Sequence, residues 1–402
     1  MQILLINQFY KPDVAATGQF LADLAEALVQ KGHTVHVLCS RHAYGGGRRI
    51  FPVKEIVNGV SVHRVRATGF GHNSTVGTLI DYLSFYILAS WRALLLPKMD
   101  VCVSLTTPPF IAVIGLLLRR IKGTRMGLWS MDLYPEVAVA YGVLKKKSHL
   151  CRLLELLSRY IYRTSSCIIS LGEVMTDRLV EAGALRKKIT TVHNWVPGDI
   201  VHSSHMPEYP EISTGPDEEI VTLVYSGNLG LGHELQMIVP AISQLNGQAK
   251  IRVLFVGNGK AKQALKGLTE DVGLDNIEFR PPAPLCELPN VLAAGDIHLI
   301  SQKSGTQGLL VPSKIYGVFA AGRPTLFIGP SDCEIARVVS ESQAGIVVEP
   351  GDIDGLVDAI KKLALEPDLR RAMGRRARQY YEEYFGRDRS VSRIVKTIEL
   401  IV

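Results

Sequence analysis

One alternation constrains this chain more than any other feature, and it occurs twice. Short apolar runs of strand length alternate with apolar positions at helical spacing. Residues 3–7 (ILLIN) read as a strand, Leu21, Leu24, Ala25 and Leu28 recur with a helical period, Gly32 ends that helix, and residues 35–39 read as the next strand. Strand–helix–strand units of this kind build parallel sheets. Further strands are expected at 60–66, 101–105, 126–130, 167–170 and 189–192, with helices at 150–164 and 175–182. Residues 202–220 (HSSHMPEYPEISTGPDEEI) then break the pattern, being rich in Pro, Ser and acids and almost free of core residues, as an interdomain linker is. A second series follows, with strands at 221–225, 251–256, 277–279, 297–301, 325–328 and 346–348, a helix at 233–245 and a basic helical tail from Met373. The expected fold class is α/β, with two Rossmann-like, doubly wound domains in tandem. Their expected bounds are 1–200 and 220–384, with a linker at 201–219 and a terminal helix near 385–402 able to pack back on the first domain. Ligands of such sheets sit at the carboxyl ends of the strands, and two facing domains would place the site in the cleft between them.

The charge is uneven. Residues 1–200 carry 24 Lys and Arg against 13 acids, and residues 201–402 carry 21 against 25. A basic front half implies an anionic partner, either a nucleic acid or an anionic membrane surface. The clusters 145–147 and 186–188 also fit plain solvated helix ends. Residues 101–118 contain no charge over 18 positions, but Thr106-Thr107-Pro108-Pro109 interrupts them, so a strand, a turn and a helix from about Pro109 are expected in place of a membrane span. That helix and the apolar run 79–97 could form a face resting on a membrane, with Arg119, Arg120, Lys122 and Arg125 against headgroups, or a buried helix pair. The six cysteines lie far apart without a C-x-x-C, which fits a reducing compartment, and the start lacks the basic, apolar pattern of a signal peptide.

Three glycine-bearing strand ends in the second half suit anion binding: SGNLGLG (226–232), GNGK (257–260) and SQKSGTQGLLVPSKIYGVFAAGRP (301–324). Glycines let backbone amides approach an anion, and a helix start adds its positive end. Short turns of this type also occur as ordinary caps. The long run carries Gly305, Gly308, Pro312, Ser313, Lys303 and Lys314, and the two lysines would supply charge to a diphosphate. In the first half, Asp132 in SMDLYPE, with Glu136 nearby, could orient or accept a proton from a hydroxyl, or cap the helix that follows. No G-x-G-x-x-G with a following acid is present, which disfavours a dehydrogenase.

Together, SGNLG, VPSK-x-Y-x-x-x-AAGRP, Asn194 after a strand, Gly18 in the first loop, FYKPDVAATGQFLADLAEALVQKGHTVHVL, SMDLYPE and QKSGTQGLLVPSK resemble family 4 retaining glycosyltransferases of the GT-B fold. The likeness spans nearly the whole chain. It is nearest to the branch that builds colanic acid and O-antigen, including fucosaminyltransferases. The resemblance implies transfer from a nucleotide-diphosphate sugar, UDP-linked sooner than GDP-linked, to a polyprenyl-diphosphate-linked saccharide. The enzyme would work in the cytoplasm at the inner face of the plasma membrane, with no cofactor and no metal; there is no D-x-D suited to Mg²⁺, and no nucleic-acid partner is implied. It further implies that Gly18, Gly227, Asn228, Gly257, Lys303, Gly305, Ser313, Lys314 and Glu334 bind the nucleotide-sugar and that Asp132 and Lys314 serve catalysis. The family's Arg and Lys beyond the first strand of the second domain are Asn228 and, near the second, His233 here. Its ribose-binding Glu is Gly317. Rival readings are a UDP-sugar 2-epimerase of the same fold and a non-catalytic membrane-surface module.

Overall fold

The computed structural model describes residues 1–43, 50–70, 75–196, 220–230, 232–245 and 250–402. The expected linker at 201–219 lies outside the described residues. The chain divides into a front unit, residues 1–193 with 387–402, and a rear unit, residues 194–386.

The front unit runs β1 (Gln2–Ile6), α1 (Ala16–Gln30), β2 (Thr34–Ser40), β3 (Lys54–Val57), β4 (Val60–Val65), α2 (Thr75–Leu95), β5 (Val101–Ser104), α3 (Val113–Lys122), β6 (Arg125–Trp129), α4 (Glu136–Ala140), α5 (His149–Thr164), β7 (Cys167–Ser170), α6 (Glu173–Glu181) and β8 (Ile189–Thr191). Its eight-stranded sheet has the order β3-β4-β2-β1-β5-β6-β7-β8. Every pairing is parallel except that of the edge strand β3, which the apolar pattern did not mark. β1 lies between β2 and β5, with Ile3 opposite both Val35 and Val101, and Ile3 to Ile6 are fully buried. Burial on both faces is what parallel strands require, and it explains their unbroken apolar runs.

In the rear unit, β9 (Val221–Ser226), α7 (Ile238–Gln244), β10 (Ile251–Val256), α8 (Lys262–Val272), β11 (Ile277–Arg280), α9 (Leu288–Ala293), β12 (Ile297–Ser301), α10 (Lys314–Ala320), β13 (Thr325–Ile328), α11 (Glu334–Ser342) and β14 (Gly345–Val348) are followed by α12 (Ile353–Leu365) and α13 (Pro367–Tyr380). The wholly parallel sheet has the order β11-β10-β9-β12-β13-β14. The tail is two helices, not one. α13 ends in a π-helical turn at Tyr381–Phe385, and α14 (Arg387–Glu399) belongs to the front unit. There Arg387 pairs with buried Asp23 of α1 at 3.1 Å and His33 Nε2, in the turn after α1, meets Glu399 at 3.0 Å, fastening α14 to α1 and to that turn.

The uncharged run 101–118 forms β5, a set of turns and α3. α3 starts at Val113 and not at Pro109, because Ile111 N–H bonds Pro108 O and Val113 N–H bonds Phe110 O in tight turns. No helix among the described residues is long and apolar enough to cross a membrane.

Two sites in the sheets yield measurable consequences. Where β9 and β10 end, the chain crosses itself so closely that a Cβ on Gly257 would lie 1.9 Å from Gly227 O. Gly257→Ala must push the two loops apart, and we expect a loss of about 2–4 kcal/mol in chemical denaturation. In the front unit, Arg92 donates to His63 Nδ1 at 3.0 Å, so the ring proton of His63 sits on Nε2 and faces His36 Nδ1 at 3.1 Å. Burial, then the Arg92 charge and His36, lower the pKa of His63 to about 4. The unfolded chain then binds a proton that the folded one refuses between pH about 6.5 and 4, so stability falls as pH falls through that window, by up to about 3 kcal/mol. Urea midpoints from pH 7 to 4.5 should show this loss, and His63→Gln should shrink it.

Candidate functional site

The carboxyl ends of β9 and β12 and the start of α10 gather Tyr225, His233, Ser301 and Lys314. Lys314 Nζ donates to the Tyr225 hydroxyl at 2.6 Å and lies 4.2 Å from the centre of that ring. The Tyr225 hydroxyl in turn donates to Asn228 O at 2.7 Å. No carboxylate pairs with Lys314 among the described residues. Its ammonium is turned inward, and burial lowers its pKa to about 7. Desolvation disfavours the charged form, so the site would gain from an anion. His233 Nδ1 donates to Ser301 O at 2.7 Å, which leaves Nε2 without the proton, and burial followed by the Lys314 charge lowers its pKa to about 4. The ring stands edge-on to Tyr225, with centroids 5.8 Å apart. Glu234 N–H and the Ser301 hydroxyl fix the turn at 2.7 Å.

The expected glycine amides are largely spent within the fold. Gly227 N–H bonds Val256 O and Gly257 N–H bonds Arg280 O. Gly227 has φ +128°, and a Cβ there would lie 2.5 Å from Lys314 Cε. The glycine therefore makes room for the lysine, and its role is space more than donation. Gly18 answers to the same logic. Its N–H bonds Ala15 O, and a Cβ would stand 3.0 Å from the Phe9 carbonyl carbon, so its missing side chain admits the chain's own first loop. Asn228 is exposed. Gly305 N–H bonds Gln307 Oε1 at 2.6 Å, and Lys303 N–H bonds Gly232 O, which leaves the Lys303 side chain half-exposed beside the loop. Ser313 is exposed one residue before α10 and makes no side-chain cap. Glu334 opens α11, is 2% exposed, and receives Arg337 at 2.5 Å, so its charge is met within its own helix. At Gly317 an added Cβ would make only ordinary contact with Leu292, so nothing in the packing forbids a side chain.

In the front unit, Asp132 lines a cavity of about 30 Å³ with Thr106, Phe110, Ser130, Tyr134 and Tyr162. The cavity lies beyond the ends of β5 and β6, opens to solvent, and has room inside for about two waters. Thr106 Oγ1 accepts both Met131 N–H and Asp132 N–H at 3.1 Å and so fixes the turn. Burial raises the pKa of Asp132 to about 6. Ser130 Oγ is buried beside it with no hydrogen-bond partner among the described residues. Glu136 begins the short α4, and burial raises its pKa as well.

Sequence reasoning missed Tyr225, Thr106 and Ser130. A tyrosine at the last turn of a buried strand, one residue before Ser-Gly-Asn, was the available signal for the first. The other two carried none, because small hydroxyl residues at strand ends are common.

Residues 16–195 match the family described as glycosyl transferase 4-like domain, and residues 209–380 match glycosyl transferases group 1. The chain is 24% identical to "Putative colanic acid biosynthesis glycosyl transferase WcaI" of Escherichia coli K12, over 99% of this chain and 100% of that one. It is 29% identical to "Probable glycosyltransferase WbjE" of Pseudomonas aeruginosa, over 66% of this chain and 67% of that one. Among solved structures it resembles Anabaena HepE, crystallised with UDP and glucose, at TM-score 0.70 and 14% identity over 99% of both chains. At that identity the likeness speaks for the fold, which is GT-B. With a glycosyl transferase 4-like domain over residues 16–195 and a glycosyl transferases group 1 domain over residues 209–380, the chain is a two-domain glycosyltransferase.

Proposed function

We propose that this glycosyltransferase moves a sugar from a UDP-linked donor to a lipid-linked saccharide, with retention at the anomeric carbon, in the assembly of a bacterial surface polysaccharide. The observation that carries the reading is Lys314: a half-buried lysine at the carboxyl end of a parallel sheet, its ammonium turned onto Tyr225, with no carboxylate to neutralise it among the described residues. A diphosphate is the complementary partner. The similarity to a colanic acid transferase supports the polysaccharide assignment, and HepE, solved with UDP, supports the choice of nucleotide. The resemblance of SMDLYPE and QKSGTQGLLVPSK to the colanic-acid and O-antigen branch makes a UDP-linked amino sugar the first donor to assay.

In this mechanism the bond from the anomeric carbon to the diphosphate oxygen breaks and a bond to the acceptor oxygen forms on the same face. The acceptor's proton passes to the departing diphosphate. Negative charge grows on that leaving group, so Lys314, with Lys303 at the rim, stabilises the transition state more than the ground state. Gly227 and Gly257 keep the loops thin enough for the lysine to reach it, and Asn228, Gly305, Ser313 and Glu334 complete the proposed donor set. Gly18 holds the first loop of the front unit. Asp132 orients the acceptor hydroxyl from the edge of its cavity. No metal or cofactor enters the scheme. We place the enzyme at the inner face of the plasma membrane, where lipid-linked acceptors are presented.

A thermal-shift comparison of UDP with GDP tests the donor class: stabilisation by UDP alone supports the reading, and stabilisation by neither removes it. Lys314→Met should weaken UDP binding about 10- to 100-fold, the value of a hydrogen bond to a charged group. Because Lys314 must be protonated to bind, wild-type affinity should decline as pH rises above about 7, and the variant should lose that dependence; calorimetric titration reads both. Asp132→Asn should lower kcat by up to about 100-fold, the effect of a misplaced acceptor hydroxyl, while leaving UDP binding intact. Since Asp132 is ionised only above pH about 6, the wild-type rate should fall below that pH.

A further inference from the structure

Helices α2 and α5 of the front unit carry large apolar side chains on their outward faces as well as inward. In α2 the inward side carries Phe85 with Ala89 and Ala93, while Ile80, Leu83, Ile87 and Trp91 face solvent, Leu83 at 60% and Trp91 at 65% exposure. The two charges that interrupt this apolar run are taken up locally: Asp81 accepts from Thr68 Oγ1 and Phe70 N–H, and Arg92 meets His63. In α5 the buried side carries Cys151, Ser158, Ile161 and Tyr162, while on the other side Leu153, Leu156 and Tyr160 are about 60% exposed. A helix that belongs only to a soluble core puts its large apolar residues inward. Several large apolar side chains on neighbouring helices form a patch that calls for a partner. α3 packs against both helices.

We propose that the outward faces of α2 and α5 dock the front unit on an anionic phospholipid bilayer. The inference deepens the lipid-linked acceptor reading and names the surface that would meet the lipid. Charge selects the occupant. Arg152, Arg159 and Arg163 border the Leu153–Leu156–Tyr160 stripe, Lys146 precedes α5, and Arg119 and Arg120 end α3; all six are exposed, against the single acid of α5, the exposed Glu155. An apolar stripe edged by cations fits the boundary between acyl chains and anionic headgroups, and Trp91 and Tyr160 are side chains that favour that depth. A second copy of the chain would set these cations against themselves across a two-fold axis. Two basic residues expected to meet headgroups are occupied elsewhere. Lys122 Nζ donates to Leu94 O at 2.6 Å and to Leu96 O, closing the end of α2, and Arg125 binds the carbonyls of Ile401 and Val402.

The test uses the full chain and vesicles of phosphatidylcholine with or without phosphatidylglycerol. Trp129 and Trp195 are buried, so Trp91 should dominate the change in emission. The expected result is a blue shift and protection from iodide quenching on the mixed vesicles, weaker on phosphatidylcholine alone, weaker at high salt, and absent in Trp91→Phe. Leu153→Glu combined with Leu156→Glu should lower vesicle partitioning about tenfold or more. The thermal shift with UDP should be unchanged in that variant, which separates failure of docking from failure of the glycosyltransfer reading. No binding by the wild-type chain overturns the proposal, as does equal binding by the Glu variant. A wild-type dimer that the Glu variant dissociates, without vesicle binding, assigns the face to a second copy and overturns it too.

Discussion

Parallel strands with helices on both faces leave one place for chemistry. The ladder consumes the backbone donors and acceptors along each strand, and the helices exclude water from both sides, so only the strand ends can hold unspent polar groups. Both units obey this constraint. In the rear unit the ends of β9 and β12 hold Tyr225, His233 and Lys314. In the front unit the turns beyond β5 and β6 hold Thr106, Ser130 and Asp132.

The rear cluster is costly in the free protein. A lysine ammonium taken from water without a carboxylate loses solvation that a tyrosine hydroxyl and ring return only in part. Its lowered pKa is that cost expressed as a proton equilibrium. In the proposed reaction such a group is prepared for an anion that arrives with the substrate, and preorganisation of that kind would favour a charge that grows as the bond breaks. The glycines around it are a precondition, since a Cβ on Gly227 would occupy the path of the lysine stem.

The front unit shows the opposite departure from the usual economy, with apolar mass on the outside. α2 and α5 are apolar on both sides, and the large residues that face outward leave surface that water solvates poorly. A basic front half seen as a bulk excess resolves, once folded, into cations that edge an apolar surface and cations that brace the fold.

The amino-acid order by itself determined the α/β class, the two series of parallel strands and most strand positions, because a strand buried on both faces must be an unbroken apolar run. It also determined which loops carry lysine and glycine. Tertiary structure alone decided what those residues do. Gly18, Gly227 and Gly257 read as sites of approach to a ligand, yet each is approached by the chain's own backbone or by Lys314, a contact between segments that local pattern cannot express. The same holds for Tyr225, which packing brings to Lys314 from 89 positions away, and for Lys122, whose charge the end of α2 claims. A side chain's type is fixed locally, but its partner, its solvation and hence its charge are set by whatever the fold places beside it.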